Sequence, residues 1–354
     1  MDRIDQFQRR HPVVGFPIAL LYKFIDDQGV YLAALITYYG FLSLFPLLLL
    51  LTSILGFVLQ DNDDLRERII KSTLNQFPIL REELANPRGL QGSTAAVIVG
   101  AAIAIYGALG VANSIQNAMN TAWAVPRHRR PNPFKARANS VLLILTAGLT
   151  VLATTVLSGI VSSPDAYGAT LSGSLRITAA LSAILLNTIV AVIGFRVATA
   201  RPLRKRDVLP GAITAALLWQ LLQVFGTAYV ANVVKGAGTT YGTFNFVFGL
   251  FAWIFLASVS LVFCVELNVV RAKRLYPRAL LTVFTDRVDL TEADKRAYAD
   301  AAAAQRLKGF ERIHVTYDDD GQHLTTRRAA MESLQPLEER SPALPPPGPG
   351  DERR

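Results

Sequence analysis

This sequence has only one cysteine, Cys264, so neither an intrachain disulfide nor a zinc site built on cysteines can form. Its four histidines, His11, His128, His314 and His323, are scattered and share no ligand spacing. There is no Walker-type phosphate loop, which removes the usual signature of an ATP-driven pump, and neither HExxH nor GxSxG occurs. Charge is also scarce: 18% of residues are charged, against about 25% in an ordinary soluble domain. Acid is outnumbered by base, leaving a net charge of +9. In a soluble chain that excess would point to nucleic acid. Here the basic residues sit in short segments between apolar runs, where membrane topology and anionic lipid explain them, so no nucleic-acid partner is expected.

What the chain does have is hydrocarbon-like sequence in long stretches. Apolar runs occupy 31–59, 94–111, 141–161, 177–197, 208–234 and 241–270. A helix needs roughly 20 mostly apolar residues to cross about 30 Å of hydrocarbon. Lipid offers no hydrogen bonds to an open backbone, so runs of this kind are helices. The rival, a large soluble helical protein with buried helices, rarely contains six such runs. The expected fold class is all-α: a polytopic membrane protein with six transmembrane helices over 31–270, amphipathic flanking helices and a small cytoplasmic tail.

Charge predicts the orientation. Arg3, Arg9, Arg10 and Lys23 precede the first run; Arg127, Arg129, Arg130, Lys135 and Arg137 follow the second without an acid among them. Arg201, Arg204, Lys205 and Arg206 follow the fourth run, and Arg271, Lys273, Arg274 and Arg278 follow the sixth. The alternate loops are poor in base, apart from the long mixed segment 61–93, which reads as an amphipathic helix or two on the outer face. This pattern places both termini in the cytoplasm. The polar N-terminus lacks the features of a cleavable signal.

Residues 1–30 read as an interfacial amphipathic helix, interrupted near Pro12 and Pro17. Residues 271–333 read as a separate cytoplasmic tail with a short helix opening at Thr291 and Asp294 and a strand at 313–317. The segment 334–354, rich in proline, reads as disordered. Pro46 within the first run predicts a kink or break around 42–46. A mere packing kink is one reading; a discontinuous helix lining a polar cavity is the other.

Polar side chains inside the runs are the candidates for function. Glu266 is the one carboxylate set within the sixth run, with Arg271 or Arg196 as expected partner; it serves either as an interfacial anchor or as a relay. Asn113, Asn117 and Asn120 share a helical stripe with Gln116 nearby; Asn187 lies mid-run, Gln220 lies in the fifth run, and Asn245 and Asn268 lie in the sixth. Tyr38 and Ser43 join them from the first run. Such groups commonly glue helices together, and collectively they can instead line a polar path. Gly107 and Gly110 in the second run, and Gly211 opening the fifth, permit close helix contact.

These residues carry a family resemblance. The segment from Ala33 to Tyr39 followed by Ser43-Leu44-Phe45-Pro46 resembles the first-span signature of the YihY/BrkB membrane proteins. The stretch from Asn117 to Asn120 leading to Trp123 resembles their second block. Pro210-Gly211 with Trp219, then Tyr241-Gly242, Trp253 and Glu266-Leu267-Asn268, resembles their closing block. The resemblance runs over about 20–275 and implies a six-helix inner-membrane protein whose molecular activity is not settled. The family's old label, ribonuclease BN, is regarded as a misassignment, and one branch is linked to lipid or lipopolysaccharide-precursor transport.

The expected function is therefore transport or handling of a lipid or amphiphile, without enzymatic activity and without a cofactor. A broken first helix and the polar faces of the second, fifth and sixth would enclose a headgroup. The alternatives are a non-catalytic envelope scaffold that binds protein partners through its tail, and a membrane-bound nuclease.

Overall fold

A computed structural model describes residues 2–58, 94–162, 173–229, 239–280, 282 and 288–317. The expected outer helix within 61–93 and the proline-rich end lie outside the described residues. The chain divides into two units, Met1–Arg312 and Ile313–Arg354, and all nine α-helices described below belong to the first.

Two short helices come first: α1 (Asp2–Arg10) and α2 (Pro12–Asp26). The break falls at His11, because Pro12 occupies the first turn of α2, where no backbone donor is needed. Pro17 is carried inside α2 without interrupting it. Gln28, with a positive φ of 56°, turns the chain into the third helix.

Six long helices follow, one for each apolar run. They are α3 (Gly29–Val58), α4 (Thr94–Ala122), α5 (Pro133–Ser162), α6 (Gly173–Ala198), α7 (Lys205–Tyr229) and α8 (Thr239–Lys273). Each packs on its neighbour in chain order, and α8 returns to α3, so the six form a closed ring. A final helix, α9 (Glu292–Ala304), follows.

The protein is an all-α membrane protein. Among the described residues, four helical stretches have the length and apolarity to cross a bilayer: Ile98–Ala122, Leu181–Ala198, Lys205–Gly226 and Val247–Lys273; Gly29–Leu44 is a shorter apolar stretch. Exposure agrees with that solvent. Leu181, Leu185, Ile189 and Ile193 form an exposed stripe at spacings of four along α6, and Leu217, Leu221 and Phe225 do the same on α7. Such stripes suit hydrocarbon rather than water.

Close packing is carried by small residues, as the sequence predicts. A Cβ on Gly107 would sit 2.5 Å from Ser43 Cβ, and one on Gly110 would overlap the Tyr39 ring, so α3 and α4 touch nearly backbone to backbone. The main core gathers at the basic end of the ring. There Leu20 of α2, Met119 and Trp123, Phe195, Val208, and Val265 and Val269 of α8 are buried together.

Three expectations change. The first long helix is not discontinuous: α3 runs unbroken through Pro46. A single missing donor costs one backbone bond, which a long helix packed on α4 and α8 tolerates. Residues 311–317 carry neither helix nor strand: 313–317 lies largely exposed, and no second strand occurs among the described residues to pair with it. The segment after α8 is not free-standing up to Arg312. It is fastened to the N-terminal helices: Gln8 Nε2 donates to the Arg278 carbonyl, Arg9 to the Asp289 carbonyl at 2.9 Å, and the Leu280 N–H to Asp5 at 2.9 Å.

Candidate functional site

Glu266 is fully buried, and the cation beside it is neither Arg271 nor Arg196. Arg271 is exposed, and Arg196 donates to the Leu203 carbonyl at 3.1 Å. The Glu266 carboxylate instead faces Lys23 of α2, with Nζ 3.6 Å away. Lys23 also forms an ion pair with Asp27, four residues further along. The ammonium is buried among two carboxylates. Burial alone would lower its pKa, but Glu266 and then Asp27 outweigh it and hold Lys23 above its ordinary value. Burial pushes the Asp27 carboxyl up, against the pull of Lys23. Neither Glu266 oxygen meets a hydrogen-bond donor at normal geometry among the described residues, and Lys23 and Asp27 are the ionisable groups that act on this carboxyl.

Lys23 and Asp27 also line a polar vestibule of about 680 Å³ at the basic end of the ring. Its walls come from the end of α2, from Asn117 and Thr121 of α4, from Arg127 and Arg130, and from Asp300 of α9. Arg130 donates to Asn117 Oδ1 at 3.0 Å, and burial followed by the nearby Arg127 lowers its pKa. Lys273 Nζ bridges the Trp123 carbonyl at 3.1 Å and Asp300 at 2.8 Å. A buried ion pair between Arg278 and Asp294, with Asp26 at 2.8 Å from the same guanidinium, holds α9 against α2. Burial alone would lower the Arg278 pKa, but Asp26 and Asp294 outweigh it and raise the group above its ordinary value.

The predicted polar stripe does not converge. Asn117 reaches the vestibule. Asn120 is buried and accepts from the Ala200 N–H at 2.8 Å, tying α4 to the end of α6. Asn268 accepts from the Gly211 N–H at 2.7 Å, and a Cβ on Gly211 would overlap the Cys264 carbonyl oxygen. Pro210 lies inside α7, and the side chain of Asn268 supplies the acceptor for the donor that follows it. Gln116 clamps α5 through the Ala136 carbonyl at 3.1 Å and Ser140 at 2.8 Å. Ser43 is buried and donates back to the Gly40 carbonyl. Pro46 is half-buried within α3, away from both cavities described here. Tyr38, Asn113 and Gln220 are exposed, so they line no shared interior path. The side chain of Asn245 lies outside the described residues.

A second cavity opens where sequence reasoning named only Asn187 and Trp219. It is a crevice of about 360 Å³ among α5, α6, α7 and α8, at mid-length of each helix. Alanine is the commonest residue in its wall, with Trp219 at one side; Thr150, Asn187 and Ser260 are its polar groups. Thr150 and Ser260 donate to their own helices, at 2.7 and 2.8 Å. The Asn187 amide makes no hydrogen bond among the described residues. The signal in the sequence was that lone amide in an apolar run; alanine carries no motif, so the cavity itself was not legible. Among the described residues, no group of three or more His, Cys, Asp or Glu side chains is placed to hold a metal ion.

A ring of long apolar helices, stripes of exposed leucine and isoleucine, and a charged vestibule at one end define a multi-pass α-helical membrane protein. Within that class, the family described as virulence factor BrkB matches residues 20–282, and the chain belongs to that family. It is 24% identical over 275 residues to the inner membrane protein YhjD of Escherichia coli (strain K12), covering 72% of this chain and 80% of that one. It is 22% identical over 272 residues to YfkH of Bacillus subtilis (strain 168), whose name calls it ribonuclease-like, covering 74% of this chain and 96% of that one. No solved structure matches.

Proposed function

We propose that this chain is a bacterial inner-membrane protein that binds and moves an amphiphile. The observation that carries the reading is the crevice of about 360 Å³ half-way along α5 to α8, with the Asn187 amide unpaired in its wall. Asn187 is half-buried, and an amide that faces hydrocarbon without a partner is costly. A ligand that brings one polar group among apolar chains removes that cost and fills a space that alanines leave open. The vestibule at the basic end is the point of entry for a headgroup, and Glu266 lies buried behind its lining residue Lys23.

The localisation follows the name of the Escherichia coli relative and the apolar helices. All six long helices cross the bilayer, and the basic end faces the cytoplasm together with both termini, in line with the excess of Arg and Lys there. The amphiphile is moved unchanged, without enzymatic turnover.

The test is exchange of a short-chain fluorescent phospholipid across vesicles holding the purified protein. Wild type accelerates exchange several-fold over empty vesicles, and both Asn187→Leu and Glu266→Gln slow it at equal reconstituted abundance. Exchange no faster than in empty vesicles ends the proposal in favour of a scaffold. Metal-dependent cleavage of RNA by the same preparation would end it in favour of a nuclease.

A further inference from the structure

We infer a separate binding site for the phosphate of an anionic phospholipid, formed where the α4–α5 and α6–α7 connections meet. A pocket of about 330 Å³ there is lined by Arg129, Lys135, Asn139, Arg196, Thr199 and Arg201. The four cations come from two stretches far apart in the chain, and no acid lines the pocket with them. Among the described residues, none of the four stands in an ion pair. Sorting a loop to the cytoplasm requires basic residues in number, but it does not require them to face one another. All four side chains are exposed, and an anion seated in the pocket meets four positive charges at once. Arginine is the side chain best matched to phosphate, through its planar set of donors.

The second observation is what adjoins the pocket. A notch of about 290 Å³ shares Arg196, Val197 and Pro202 with it and adds Ile193 and Leu203. Ile193 continues the exposed apolar stripe of α6. A cationic cup therefore opens directly onto a lipid-facing groove. A free phosphate would use only the cup; a phospholipid uses both, with its headgroup in the cup and the start of an acyl chain along Ile193 and Val197. Each cavity is about the size of the smallest ligand pockets, near 300 Å³. Arg196 is pinned by its bond to the Leu203 carbonyl at the junction, which sets the two parts in register. The site shares no lining residue with the crevice or the vestibule, so it stands whether or not the protein moves lipid.

The test uses the purified full-length protein in neutral detergent, titrated with fluorescent phosphatidylglycerol and with phosphatidylcholine bearing the same chains. Phosphatidylglycerol is expected to bind at least about tenfold tighter, given the attraction each nearby cation adds for an anionic headgroup. Arg129→Gln with Arg201→Gln abolishes that preference. Arg204→Gln with Lys205→Gln removes the same charge from exposed positions outside the pocket and leaves the preference intact, as does Arg201→Lys. Should the first pair fail to fold, Arg201→Gln alone is expected to lower the preference, because its side chain is exposed and its loss leaves no buried partner. Equal preference in the pocket variants and wild type overturns the site, and so does equal loss in the outside pair. Complete displacement of phosphatidylglycerol by millimolar inorganic phosphate would make the pocket a soluble-anion site and end the assignment to lipid.

Discussion

The buried cluster of Lys23, Asp27 and Glu266 sets two carboxylates beside one ammonium. Glu266→Gln removes the surplus negative charge and leaves Lys23 with Asp27, so the variant should fold and accumulate like wild type. Lys23→Met does the opposite and leaves both carboxylates without their cation, at a cost of about 3–5 kcal/mol. Thermal unfolding in detergent should show a much lower midpoint for Lys23→Met than for Glu266→Gln; equal midpoints would mean that the cluster is not a charge balance. Gly211 offers a test of packing. Its missing Cβ lets α7 lie against the Cys264 carbonyl and the Asn268 amide, so Gly211→Ala should destabilise by about 1–3 kcal/mol, whereas Gly148→Ala, with nothing within 4 Å, should be silent by the same measurement. The sequence shows that these side chains are unusual but not what they meet. Spacing puts Asn113, Asn117 and Asn120 on one stripe, yet the three end in different places, because the helix turns its stripe past several neighbours.

At the scale of the element, α9 is the instructive case. Its start was readable: the Thr291 side chain accepts from the Asp294 N–H, and the Asp294 carboxylate accepts from the Thr291 N–H, a full capping box. What the sequence concealed is that Asp294 has a second duty as partner of Arg278. Asp294 and Asp26 both depend on that one guanidinium, so Arg278→Ala should release α9 from the ring and cost about 3–5 kcal/mol. Limited proteolysis checks this: cleavage near 288–300 should accelerate many-fold in the variant while α3 to α8 stay protected. The long helices were legible as elements, since a run of bilayer length has only one way to satisfy its backbone, but not in their bounds: α4 continues past 111 to Ala122 and α5 starts at Pro133 rather than 141, where polar residues extend the helix beyond the apolar run. Pro46 was not, because the sequence signals a missing donor without revealing whether the surrounding helices absorb it.

For the whole molecule, the ring closure of α8 on α3 and the gap among α5 to α8 are facts of three-dimensional packing, with no local signature in a lipid-facing composition. The number and direction of crossings can be checked with thiol chemistry. Cys264 is completely buried, so the native chain gives no background with an impermeant maleimide. A cysteine placed at Ser172 should react in intact cells, whereas one placed at Arg353 should react only after the membrane is opened. The reverse pattern would invert the topology. It would also turn the pocket between Arg129 and Arg201 towards the opposite leaflet.

The salt link between α2 and α8 makes the first 28 residues part of the membrane body rather than a prelude to it. A chain trimmed to begin at α3 would lose more than a surface handle: a carboxylate deep among the helices would be stripped of its counter-ion, and Arg278 of one of its own. Tags, fusions and truncations at this end should therefore be expected to act at the heart of the protein.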